Sequence, residues 1–245
     1  MQPKNPRKGI YILPNLFTTA ALFAVFYASV QAMNGQFEYA AIAIFIAMIM
    51  DGLDGRVARW THTESDFGAQ YDSLSDMVSF GLAPSLVIYE WALSGLGKLG
   101  WLAAFVYAAA AALRLARFNV QTTAGVDGRY FTGLPSPSAA ALIAGLVWVL
   151  HSTGVPGKEV SFIALGFTIF AALSMVSNIR YHSFKHFKVK DRTSFMAVIA
   201  MVLIFVLISL DPPQVLFMGF LAYALSGPLF ATFRLYQRHL GSRHT

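Results

Sequence analysis

Eight stretches of this chain are apolar over roughly the length a helix needs to cross a bilayer, about 20 residues. They lie near residues 14–33, 37–59, 72–94, 99–118, 136–152, 159–178, 194–210 and 214–234. Short turn-rich segments separate them, among them "NGQ", "SGLGKLG", "HSTGVPGKE" and "DPPQ". The pattern predicts an all-α integral membrane protein, a helical bundle of about eight transmembrane helices. Composition points the same way. With 56% hydrophobic and 12% charged residues, the chain lacks the polar surface that a soluble domain of 245 residues requires. It has no cysteine, which excludes disulfides and thiolate metal sites.

The net charge of +6 invites a nucleic-acid reading, but its distribution argues against one. With the N-terminus placed in the cytosol, the inside segments hold Lys4, Arg7, Lys8, Arg56, Arg59, Arg114, Arg117, Arg129, Arg180, Lys185, Lys188, Lys190, Arg192, Arg234, Arg238 and Arg243. Only Lys98 and Lys158 face outside. This asymmetry predicts both termini in the cytosol and integration into the cell membrane. The basic excess then serves orientation and contact with anionic lipid headgroups. The first span has a basic start and a small-residue stretch, "ASVQA", as signal peptides do. Its apolar core exceeds their usual length of about 7–15 residues, so it is expected to be retained.

The segment Ile46–Gly81, "IAMIMDGLDGRVARWTHTESDFGAQYDSLSDMVSFG", departs from this apolar background. On a helix turning about 100° per residue, Asp54, Gly55, Ala58 and Arg59 fall within one arc of about 140° with Asp51. On the following helix Gly68, Asp72 and Asp76 share a second stripe, with Ser75 and Ser79 beside them. The intervening loop "WTHTESDF" is short enough to keep the two helices adjacent, so four carboxylates converge at the cytosolic end of the bundle. Such a group resists ionisation unaided. Hard divalent cations relieve it: all-oxygen ligands suit Mg²⁺, Mn²⁺ or Ca²⁺, and four aspartates could hold two ions. Gly55, Ala58 and Gly68 leave room for a ligand to approach the backbone. Arg59 is suited to a phosphate. The alternatives are a structural network of these aspartates with Arg56 and Arg59, and a divalent-cation transporter. Transporters place ion sites near the midplane, whereas this cluster lies at one face.

The pattern Asp51-x-x-Asp54-Gly55-x-x-Ala58-Arg59, eight residues, Gly68-x-x-x-Asp72-x-x-x-Asp76 resembles the signature of the CDP-alcohol phosphotransferase family. "LPNLFTT", "YDSLSDMVSFGLAPS", "LRLARFN", "FTGLPSPSAAA" and "SNIRYHSFK" are similar to segments of its bacterial and archaeal phosphatidylserine synthases. The resemblance implies a membrane enzyme that transfers a phosphatidyl group from CDP-diacylglycerol to L-serine, releasing CMP, and that assembles as a homodimer. It implies that Asp51, Asp54, Asp72 and Asp76 ligate metal and that Asp76 is also the catalytic base. Gly55, Ala58, Arg59 and Gly68 would line the CDP pocket. The whole chain, 1–245, reads as one membrane domain: a cytosolic segment 1–13, catalytic helices 14–185, and two last helices with a cytosolic tail, 186–245. A sister enzyme using glycerol 3-phosphate or inositol phosphate is the nearest alternative. The stretch after Asp76, "MVSFGLAPS", offers no cation for a dianionic acceptor and so favours serine.

Other polar residues admit two readings each. Asn15 and Thr19 would contact the nucleotide by resemblance, or cap and pack the first helix. Arg114 and Arg117, three apart on one face, would hold a phosphate or the serine carboxylate, or anchor the helix at the membrane edge. Ser79 would touch the acceptor or merely pack. His182 and His186 have a zinc-like spacing without a third ligand, and read as interfacial. Lys185, Lys188, Lys190 and Arg192 read as headgroup contacts.

Overall fold

A computed structural model describes residues 12–123, 130–182 and 195–241. The basic run Lys185 to Arg192, His186 and the N-terminal basic residues lie outside the described residues. All eight apolar stretches are helical. They form α1 (Ile12–Met33), α2 (Phe37–Thr61), a third rod, α5 (Lys98–Thr123), α6 (Ser136–Ser152), α7 (Ser161–Val176), α8 (Phe195–Leu210) and α9 (Pro212–Gly241). The third rod is composite. It comprises α3 (Asp66–Asp76), a π turn Met77–Leu82, α4 (Ala83–Ile88), a second π turn Tyr89–Leu93 and a 3₁₀ turn Ser94–Leu96.

The breaks follow from local chemistry. Gly35 takes φ 73° between α1 and α2, a conformation glycine adopts without Cβ strain. His62 ends α2 in the left-handed region, its N–H meeting the Ala58 and Arg59 carbonyls. Ser65 then caps α3, its hydroxyl accepting from the Gly68 N–H at 3.0 Å. Prolines 212 and 213 open α9, where no intrahelical donor is needed. The Asp211 carboxylate accepts from the Gln214 N–H there.

Five of the helical segments are long and apolar enough to cross a membrane: Leu13–Met33, Asp66–Leu96, Lys98–Gln121, Gly157–Val176 and Pro212–Phe233. The other three are not among these spans over the described residues. Helix α2 carries the charged stripe, α8 is described over 16 residues, and α6 has 17. Helix α6 is enclosed by protein: every residue from Ala139 to Trp148 is buried, and it packs against α2, α4, α7 and α9. A helix apolar on all sides belongs at such a centre. Small residues allow close approach. Ala28, Ala32, Ala40 and Ala41 are buried in the core with which α1 and α2 pack. A Cβ on Gly145 of α6 would stand 3.2 Å from Phe217 Cα of α9. Between helices in lipid, such packing is a main source of association. Phe23, Phe26, Phe105 and Phe162 are exposed on the outer faces, consistent with contact to lipid tails.

The all-α expectation omits one feature. Strands β1 (Tyr130–Thr132) and β2 (Arg180–His182) pair antiparallel, with Phe131 opposite Tyr181. They tie the α5–α6 connection to the segment after α7. Tyr181 Oη donates to the Ala224 carbonyl of α9, and Tyr223 Oη donates to the His182 carbonyl. The residues after β1 fold onto the end of α7: Gly133 N–H donates to Ile179 O, and Leu134 N–H to Ser174 O.

Candidate active site

Helices α2 and α3 lie side by side, and α1 braces both. Thr18 Oγ1 donates to Asp54 Oδ2 at 2.7 Å, and Ser75 Oγ donates to the Thr18 carbonyl at 3.3 Å. One carboxylate oxygen from each of Asp51, Asp72 and Asp76 lies within 4.8 Å of the other two. Asp54 adjoins Asp72 on the α1 side and is buried. Asp72 Oδ1 and Asp76 Oδ1 are buried and have no hydrogen-bond partner.

The donor set fits a hard divalent cation. Metal–oxygen distances of about 2.0–2.6 Å allow ligand oxygens up to roughly 4–5 Å apart across one ion. Buried carboxylate oxygens without donors are costly unless something positive meets them. Among the described residues, Asp51, Asp72 and Asp76 form the one group of His, Asp and Glu close enough to share an ion.

A cleft of about 530 Å³ opens beside these carboxylates. Asn15 and Thr18 of α1 line it, with Asp54, Gly55, Ala58 and Arg59 of α2 and Gly68 and Asp72 of α3. The volume suits a nucleotide-sized ligand. A Cβ on Gly55 would stand 3.5 Å from Arg59 Nη1, so the guanidinium lies over the bare glycine backbone. A Cβ on Gly68 would stand 3.1 Å from Ser65 Oγ and 3.5 Å from Asn15 Oδ1. Glycine there keeps the mouth of the cleft open. Thr19 does not line this cleft. Its hydroxyl bonds to the Asn15 carbonyl and to Tyr71 Oη, while its neighbour Thr18 faces inward.

The arginine pair of α5 divides. Arg114 is buried, donates through Nη1 to Ser136 Oγ at 2.7 Å, and lies 5.3 Å from the centre of the Phe118 ring. Its positive charge acts on Asp76. Arg117 turns instead to the C-terminal end of α7, where Nη1 approaches the Val176 and Ser177 carbonyls at 3.4 and 3.3 Å. Cations at a helix C-terminus are stabilising. Ser79, one turn past Asp76, is 1% exposed and its hydroxyl has no partner. Neither Thr18 nor Ser136 carries a local sequence signal that marks it for the site. Thr18 differs from Thr19 only by one residue of helical rotation. Ser136 follows a proline in a segment whose approach to α5 depends on the tertiary fold.

The sequence model of the CDP-alcohol phosphatidyltransferase family matches residues 11–176, from α1 through α7. A Helicobacter pylori protein named CDP-diacylglycerol–serine O-phosphatidyltransferase is 38% identical over 208 residues, covering 83% of this chain and 84% of the relative. A Mycobacterium tuberculosis protein of that name is 40% identical over 147 residues, 58% of this chain and 51% of the relative. An archaetidylserine synthase of Methanothermobacter thermautotrophicus is 33% identical over 172 residues, 69% of each chain. With the aspartate pattern, the cleft and this coverage together, the chain belongs to the CDP-alcohol phosphatidyltransferase family.

Proposed function

We propose that this protein is a CDP-diacylglycerol–serine O-phosphatidyltransferase, an integral membrane enzyme that forms phosphatidylserine and CMP. The observation that carries the reading is the Asp51, Asp72 and Asp76 cluster at the edge of a nucleotide-sized cleft. The names of the relatives at 33–40% identity support serine as acceptor. Asp51, Asp54, Asp72 and Asp76 would hold divalent cations, Mg²⁺ or Mn²⁺ with Ca²⁺ a weaker fit, and two ions suit four carboxylates. Bound there, the metal supplies charge stabilisation for the pyrophosphate oxygens.

The protein's own groups do the rest. Asn15, Gly55, Ala58, Arg59 and Gly68 receive the cytidine diphosphate moiety in the cleft, with Thr18 steadying Asp54; Thr19 supports the wall behind Asn15. The serine hydroxyl oxygen attacks the phosphorus on the lipid side and forms the new P–O bond. The anhydride P–O bond to CMP breaks, and CMP leaves with the bridging oxygen. Asp76 accepts the hydroxyl proton. Arg114, held by Ser136, pairs with the serine carboxylate, and the unpartnered Ser79 hydroxyl meets a polar group of the acceptor. Arg117 is assigned to the end of α7.

The basic asymmetry supports an active site and both termini on the cytosolic face, against anionic headgroups. Family resemblance supports a homodimer. The acceptor assignment is tested by two-substrate kinetics. Arg114→Lys, which loses the guanidinium fork, is expected to raise the serine KM about tenfold, the loss of one charge-assisted bond. The CDP-diacylglycerol KM should stay near wild type, and Arg117→Lys should leave both constants unchanged. An unchanged serine KM in Arg114→Lys contradicts the assignment.

A further inference from the structure

Asp72 and Asp76 share one helical face, but their helix does not run on in α register. It passes through the π turn Met77–Leu82, in which the Ala83 N–H bonds to Val78 O. Such a turn takes in about one residue more than an α-turn. One extra residue rotates the helix on one side by about 100° relative to the other. The turn therefore sets the angle between the carboxylate-bearing half and α4, whose Val87 and Ile88 are fully buried.

Three residues bear on that turn. Pro84 lacks an N–H, so the Phe80 carbonyl has no donor four residues on. Tyr107 of α5 supplies one: its hydroxyl donates to Phe80 O at 3.1 Å from a fully buried side chain. Gly81 lets α5 come this near. A Cβ there would stand 3.1 Å from Ala111 Cβ and 3.0 Å from Met77 Sδ.

We propose that Tyr107 is a positioning residue for phosphatidyl transfer, its hydroxyl holding through Phe80 the π turn that aims Asp76 and Ser79 into the site. The proposal rests on the reading of Asp76 as base. Tyr107 acts only through the turn, bonded to a main-chain carbonyl on the core side.

The test is Tyr107→Phe, which keeps the ring and removes the bond. Its kcat is expected to fall about tenfold, since misplacement of a reacting group by an ångström can cost up to about 10²-fold. The CDP-diacylglycerol KM should remain near wild type. In single-turnover assays the same substitution in an Asp76→Asn background should cost nothing further, because both changes act on one group. Gly81→Ala keeps the Tyr107 hydroxyl but wedges the turn from α5, and should reproduce the kcat loss; it carries the test if Tyr107→Phe does not fold. An unchanged kcat in the folded variant, or the same fractional loss with and without the Asp76 carboxylate, overturns the proposal. If Asp76→Asn alone retains the wild-type rate, it is the underlying reading of Asp76 that fails.

Discussion

At the scale of single residues, the four aspartates differ by what surrounds them. Asp54 has a hydroxyl donor in Thr18, and Asp72 faces the cleft. Asp76 lies farthest along α3, with an unpartnered oxygen, Arg114 acting on it and Ser79 one turn beyond. In the proposed function that position gives Asp76 to the acceptor rather than to the nucleotide. Asp76→Asn keeps the size and one oxygen but loses the basic carboxylate. General-base catalysis is worth about 10²–10⁴-fold, and a kcat loss of that order is expected with CDP-diacylglycerol binding largely kept. Binding is read by equilibrium retention of labelled lipid nucleotide and rate by CMP release. Retention of more than about a tenth of the wild-type rate under chemistry-limited conditions would remove Asp76 from the role of base.

At the scale of elements, the site depends on how loops lock helix ends. Gly133 takes φ 82°, and a Cβ there would fall 2.1 Å from the Met175 carbonyl oxygen. Gly133→Ala is therefore expected to destabilise the fold by at least about 2 kcal/mol, from the left-handed backbone and the clash together. A lowered melting temperature in detergent measures this; an unchanged one would mean that the loop moves freely off α7. What could be read in advance also divides at this scale. The aspartate stripes were legible because 100° periodicity and a short loop suffice to bring Asp51, Asp72 and Asp76 together. The orientation of Thr18 against Thr19 was not, since adjacent residues swap roles with a small rotation of α1. Nor was the division of Arg114 from Arg117, which depends on where α7 ends. The π turn escaped notice although Pro84 marks it, because its partner Tyr107 lies on another helix. The strand pair joins segments some fifty residues apart, with no local alternation to announce it.

At the scale of the whole molecule, a helical bundle pinned by one short strand pair encloses α6 and sets its acidic cleft at one end. The apolar runs coincide with every long helix among the described residues, but do not distinguish a lipid-facing span from the enclosed α6 or the charged α2, because hydropathy does not record what covers a helix. In the proposed orientation the cleft would lie at the membrane edge, where it would be open both to a substrate with two acyl chains and to a water-soluble amino acid. In the proposed function the clustered aspartates, loaded with a divalent cation, support serine-dependent cleavage of the lipid nucleotide. The direct measurement is CMP release by the purified protein supplied with CDP-diacylglycerol and L-serine, glycerol 3-phosphate or inositol phosphate in turn, each with Mn²⁺ and again with EDTA. CMP release is expected with serine, dependent on the metal and restored when Mn²⁺ or Mg²⁺ is returned. Full activity in EDTA, or release with glycerol 3-phosphate or inositol phosphate but not with serine, would contradict it.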